Sequence, residues 1–144
     1  MSKRVLALDP GNHTGWCYRQ EDGKLLGGTL PEDHMDVMQL IIKLLPEVVV
    51  FESFKLYPSK ARSLAWNSFY PCEVIGVIKL MCSCYNIPTV EQSPSIKKYA
   101  GPFQDDFQEL ATREKEKDKH WLTEHVKDAY QHLRYYERYK KEPK

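Results

Sequence analysis

Val5-Leu6-Ala7-Leu8-Asp9-Pro10-Gly11 decides the reading of this chain. Four apolar residues end in a carboxylate, and a turn follows at once. A run of this kind forms a buried strand, so Asp9 is delivered to the strand's own tip. Carboxylates are costly to desolvate, and one leaving a core strand needs a partner, often a cation. Val48-Val49-Val50-Phe51 repeats the pattern and delivers Glu52. Two such strands, each presenting an acid, suggest a metal-ion site. On the residues alone, Asp9 is equally a cap for its Asp-Pro-Gly turn, and Glu52 a salt-bridge partner for Lys55.

The remaining elements follow from pattern. Gly11-Asn12-His13-Thr14-Gly15 reads as a tight turn whose glycines can take positive φ. Strands are expected at 3–9, 16–19 and 25–30, with Glu21-Asp22-Gly23-Lys24 as a hairpin signal. Pro31-Glu32-Asp33 opens a helix with an apolar stripe of Met35, Met38, Ile41, Ile42 and Leu45, and Pro46 closes it. After the strand at 48–52, a long helix is expected over 59–85, kinked or split at Pro71. Its apolar content exceeds one stripe, which suits a core helix or one that meets a partner. A short strand at 88–91, a helix capped at Ser93-Pro94-Ser95 and a final helix over 119–139 complete the order. A three-stranded meander is then followed by strands reached through helices. The first and fourth strands can lie side by side and bring Asp9 and Glu52 together.

The totals set bounds. A chain of 144 residues, with 42% hydrophobic and 28% charged, fits one compact domain spanning 1–144. No apolar stretch approaches the roughly 20 residues that span a bilayer. Met1-Ser2-Lys3-Arg4 leads straight into a strand, so no secretory leader is expected. Cys17, Cys72, Cys82 and Cys84 read as reduced core thiols, which implies a cytosolic setting. The net charge of +1 decides nothing about nucleic acid, but its distribution is uneven. Lys55, Lys60 and Arg62 fall in a stretch without acids, interleaved with Phe54 and Tyr57. Aromatics among cations suit a surface where rings stack on bases and amines meet phosphates. The alternative is a loop whose rings fold back on the core.

The chain resembles the ribonuclease-H-like nuclease superfamily, and within it the RuvC type of Holliday-junction resolvase. Asp9-Pro10-Gly11 through Thr14-Gly15 resembles that family's opening D-P-G…T-G motif. Glu52 after an apolar strand matches its second acid. Asn67, Gly76 and Pro94-Ser95-Ile96-Lys97 match loosely its long helix and P-x-x-(V/I)-K segment. His125-Val126-Lys127-Asp128-Ala129 resembles the closing H-x-x-D-A motif. One departure is Tyr99-Ala100-Gly101-Pro102, which stands where a glycine- and lysine-bearing run is usual; Lys115, Lys117 or Lys119 are candidates to supply its charge. The compactness of the chain suits a phage-encoded member, working in the cytoplasm of its bacterial host.

The resemblance implies an α/β fold, a five-stranded mixed sheet of three antiparallel and two parallel strands flanked by helices. It implies a Mg²⁺-dependent endonuclease that resolves four-way junctions by paired symmetric nicks, with two Mg²⁺ per site and Mn²⁺ as a substitute. Asp9 would bridge the two ions, Glu52 hold one and Asp128 the other. His125, one helical turn from Asp128, would bind the second ion, position water or shuttle a proton. Glu124 is a rival for the last position. His132 is either an exposed helix residue or an orienter of a ligand, and His13 a loop residue near the cleft. Phe54, Lys55, Tyr57, Lys60, Arg62, Lys97 and Lys98 are the expected DNA contacts. Tyr135, Tyr136 and Tyr139 are expected to pack against the sheet. A homodimer through the helix at 59–85 would supply the symmetry that paired nicks require. The alternatives are another nuclease of this fold acting on flaps, branched DNA or RNA–DNA hybrids, an actin-like nucleotide-binding module, and an inactive DNA-binding adaptor.

Overall fold

The structure is a computed structural model that describes residues 3–54, 69–99 and 124–139. Five strands form one sheet: β1 (Val5–Asp9), β2 (Thr14–Arg19), β3 (Leu25–Leu30), β4 (Val48–Glu52) and β5 (Thr89–Gln92). Their order across the sheet is β3-β2-β1-β4-β5. β1, β2 and β3 pair antiparallel, while β4 lies parallel to β1, and β5 parallel to β4. This is the five-stranded mixed sheet that the resemblance implies. Leu8 pairs with Phe51, so the two strands end together and Asp9 and Glu52 emerge side by side.

Period-two alternation sorts the central strands between two cores. Val5, Ala7, Val48 and Val50 face helix α3 (Glu124–Tyr139), against Val126, Ala129, Tyr130, Leu133 and Tyr136. Leu6, Leu8, Val49 and Phe51 face helices α1 (His34–Leu44) and α2 (Tyr70–Cys84). Asp33 caps α1, its side chain accepting a hydrogen bond from the Met35 N–H at 2.8 Å. Leu45 ends the helix in the left-handed region, at φ 41°. The face α1 buries is Val37, Leu40 and Ile41; of the expected stripe, Met35, Ile42 and Leu45 are exposed. Both stripes have helical spacing, and the angle at which α1 meets the sheet selects between them.

Pro71 lies in the first turn of α2 instead of kinking a longer helix. Its missing N–H would have had no helical partner there. Of the helix expected over 59–85, residues 59–68 lie outside the described residues. Likewise α3 is described from Glu124, and 119–123 lie outside. The segment after β5 is a 3-10 helix, Pro94–Tyr99, entered through Ser93, whose Oγ accepts from the Ser95 N–H at 3.3 Å. Cys17 and Cys82 are core thiols as expected, but Cys72 and Cys84 are exposed on α2. All four are free. Among the described residues, no helix is long and apolar enough to cross a membrane.

Candidate active site

The site forms where the parallel strands end. Asp9 closes β1 and is only 6% exposed. The turn beyond it is tied by Thr14, whose hydroxyl donates to the Gly11 carbonyl at 3.2 Å. Asp9 is thereby not needed as the turn's cap, and its carboxyl faces the ends of β4 and α3. Neither Gly11 nor Gly15 takes positive φ, contrary to the turn reading. Gly15 is required for another reason. A Cβ there would run into the carbonyl of His125 and come within 2.6 Å of the Val126 nitrogen. Gly15 lets α3 lie directly on β2, and this close approach lowers His125 and Asp128 towards the strand ends.

Five sequence-predicted residues converge here: Asp9, Glu52, Lys97, His125 and Asp128. His125 Nδ1 lies 3.4 Å from Asp9 Oδ2, and its ring is 44% exposed to the cleft. Lys97 Nζ lies 2.8 Å from Glu52 Oε1 and 3.2 Å from Asp128 Oδ2, which brings Glu52 and Asp128 to opposite sides of one ammonium. Exposed His13 flanks His125, with ring centroids 6.3 Å apart. Phe54 is exposed at the exit of β4, its ring centroid 5.9 Å from that of Phe69. Lys98 is exposed on the 3-10 helix. Lys55, Tyr57, Lys60 and Arg62 lie outside the described residues, as does the side chain of Glu124.

Burial and like charge set the protonation of the acids. Burial first, then the neighbouring Glu52 and Asp128, pushes the Asp9 carboxyl up to about 9. Burial also works to raise Glu52, but hydrogen bonds from His132, Asp9 and Lys97 outweigh it and hold Glu52 well below the usual carboxylate range. Asp9 therefore keeps a proton while Glu52 is ionised. For Lys97, desolvation favours the neutral amine, but Glu52 and Asp128 outweigh it and hold the ammonium above its ordinary value.

His132 corrects one expectation. It is not an exposed helix residue but wholly buried. Its Nδ1 is 2.7 Å from Gln92 Oε1, and its Nε2 is 3.4 Å from Glu52 Oε1. Gln92 is the register partner of Glu52 on β5, so the imidazole bridges neighbouring strands beneath the acid. The signal was its spacing, seven residues after His125 and four after Asp128, which places all three near one helix face. Gln92 carried no signal of its own. Tyr136 packs in the core as expected, whereas Tyr139 is exposed and its ring lies 4.6 Å from that of Tyr135.

Among the described residues, no three acidic, histidine or cysteine side chains are drawn up as a ready ligand shell. The cation between Glu52 and Asp128 is Lys97. The donors nevertheless suit a hard divalent cation: they are carboxylate oxygens from three elements. Glu52 Oε1 is buried, and what meets it there is already a cation, the Lys97 ammonium at 2.8 Å. Asp9 holds a proton that a cation would displace.

No protein-family model and no curated protein sequence matches the chain. Solved structures do. The Thermus thermophilus RuvC in complex with a Holliday junction substrate aligns over 96% of this chain and 95% of its own, with a TM-score of 0.68 at 17% identity. A second Thermus thermophilus RuvC structure aligns over 97% and 98%, with a TM-score of 0.63 at 18% identity. The fowlpox virus Holliday junction resolvase aligns over 94% and 97%, with a TM-score of 0.51 at 12% identity. The described residues thus have the ribonuclease-H-like fold of these structures.

Proposed function

We propose that this chain is a divalent-metal-dependent endonuclease that resolves four-way DNA junctions by paired, symmetric nicks. The observation that carries the reading is the convergence of Asp9, Glu52 and Asp128, from β1, β4 and α3, on a resolvase fold. Two of the aligned structures, from Thermus thermophilus and fowlpox virus, are complexes with Holliday junction DNA.

Asp9, Glu52 and Asp128 would hold Mg²⁺, two ions per site with Mn²⁺ able to substitute. The bound ions would supply water activation and neutralise charge developing on the phosphate. The chain's own groups do the rest. Asp9 would release its retained proton when an ion binds, leaving its oxygens free to coordinate. His125, against Asp9 and open to solvent, could meet an attacking water in the cleft. It holds that water by a hydrogen bond and accepts its proton. Lys98, exposed on the 3-10 helix, meets phosphate oxygens, which fixes the strand in register without reading sequence. Phe54 offers a ring to an unstacked base at the branch point. Paired nicks need two sites related by a two-fold axis. The face of α2 carrying Leu80, 62% exposed, is the surface assigned to that homodimer.

The test is cleavage of an immobile synthetic four-way junction beside a flap, an RNA–DNA hybrid and plain duplex, with Mg²⁺ or with chelator. Junction should be cut, and chelator should stop it. Asp9→Asn should bind junction normally and cut it at least about 100-fold more slowly. Cutting by Asp9→Asn at the wild-type rate would refute the assignment. A preference for flap or hybrid would keep the nuclease and move the substrate.

A further inference from the structure

Lys97 reaches from the 3-10 helix into the acid cleft and touches two carboxylates that belong to different elements, Glu52 on β4 and Asp128 on α3. The side chain is 28% exposed, and that of Glu52 is 13% exposed. Ile96, beside it, is buried and anchors the 3-10 helix, so the approach of Lys97 is set by the fold. Three acids in one cleft carry more negative charge than a partly desolvated site tolerates. Lys97 supplies a positive charge between two of them.

An ammonium and a divalent cation use the same carboxylate lone pairs. They cannot both occupy the position between Glu52 Oε1 and Asp128 Oδ2. We infer that Lys97 is a built-in counter-ion that fills one cation position of the site, the one between Glu52 and Asp128, and that a divalent cation binds there only by displacing it. This rests on the reading of the acids as a cation site. It assigns the two sides of the cleft unequal affinity, with the Lys97 side the weaker. Displacement is mechanically easy, because a compact ammonium on a flexible four-carbon stem swings without moving the backbone.

The test is calorimetric titration of the whole chain with Mn²⁺ alone, without DNA, for wild type, Lys97→Met and Lys97→Arg. Lys97→Met keeps the stem and removes the charge; it should bind Mn²⁺ at least about 10-fold more tightly. Lys97→Arg keeps the charge and should stay within about 3-fold of wild type. If Lys97→Met fails to fold, Lys97→Gln reads out the same quantity. Equal or weaker binding by Lys97→Met overturns the inference and leaves the cation site standing. Tightening by Lys97→Arg as large as that of Lys97→Met also overturns it, because lost packing rather than lost charge would then be the cause. Failure of every form, wild type included, to take up Mn²⁺ overturns both the inference and the reading beneath it.

Discussion

The two faces of the sheet are built by different rules. The face under α1 and α2 is an apolar core: Leu6, Leu8, Val49 and Phe51 meet Val37, Ile41, Val74 and Ile78. The face under α3 mixes apolar contacts with buried polar ones. Arg19 makes two bonds to Glu137, at 2.9 and 3.1 Å, at the far end of the helix, and His132 joins Gln92 to Glu52 near the site. Apolar packing is non-directional and tolerates small shifts of a helix. Polar partners and a bare backbone approach at Gly15 do not. The face that carries the site is the one whose helix is fixed in depth and rotation, which a constellation of acids requires.

The sharpest way to break this contrast is to make one substitution on each face. Gly15→Ala puts a methyl group against the His125 carbonyl, with backbone on both sides and nothing flexible to yield. We expect a loss of more than about 4 kcal/mol, read by denaturant unfolding, and no Mn²⁺ uptake by any protein that remains folded. Gly76→Ala on α2 meets nothing within 4 Å and should stabilise by about 0.5–1 kcal/mol. If Gly15→Ala melts like wild type, α3 does not depend on that approach.

Next in size is Ile78→Ala in the core of the other face, where the side chain is fully buried. The truncation should cost about 2–5 kcal/mol. Mn²⁺ affinity of the folded protein should not change, because α2 supplies no ligand. A loss of affinity in step with stability would show that the two faces are not separable.

The strands were legible in the chain and the cleft was only half legible, for physical reasons. β1 and β4 are buried on both sides, so their apolar runs stand out with no need of context. Their acids stand out because nothing in a core strand calls for one. Asp128 and His125 sit on a helix whose other residues are also polar, and only the resemblance singled them out. His132 was underestimated because a histidine on such a helix is ordinarily solvated; its burial depends on Gln92, forty residues away and set opposite by strand register. Lys97 was expected to face phosphate, and its place between two acids depends on how the 3-10 helix turns after β5. The stripe chosen for α1 failed similarly, since rotation about a helix axis is settled by its neighbours.

The effect of pH is the most specific to the site. The folded protein holds the Asp9 proton more tightly than the unfolded chain does, with a value of about 9 against 3.8. Stability from that proton is complete below about pH 4 and drains away as pH rises towards 9. Glu52 is shifted the other way: its contribution is present above its ordinary value of 4.5 and is lost only in acid, so it stays constant between pH 5 and 9. Asp9→Asn cannot ionise and escapes the drain. Without divalent ions it should melt at nearly the wild-type temperature at pH 5 and above it at pH 8, by on the order of 1–3 kcal/mol or a few degrees. Adding Mg²⁺ at pH 8 should reverse the order, because only wild type gains the oxygens that a cation holds. Parallel melting curves for the two forms from pH 5 to 8, unmoved by Mg²⁺, would mean that Asp9 is neither strained by its neighbours nor placed to bind an ion. The face under α3 would then differ from its opposite in packing alone.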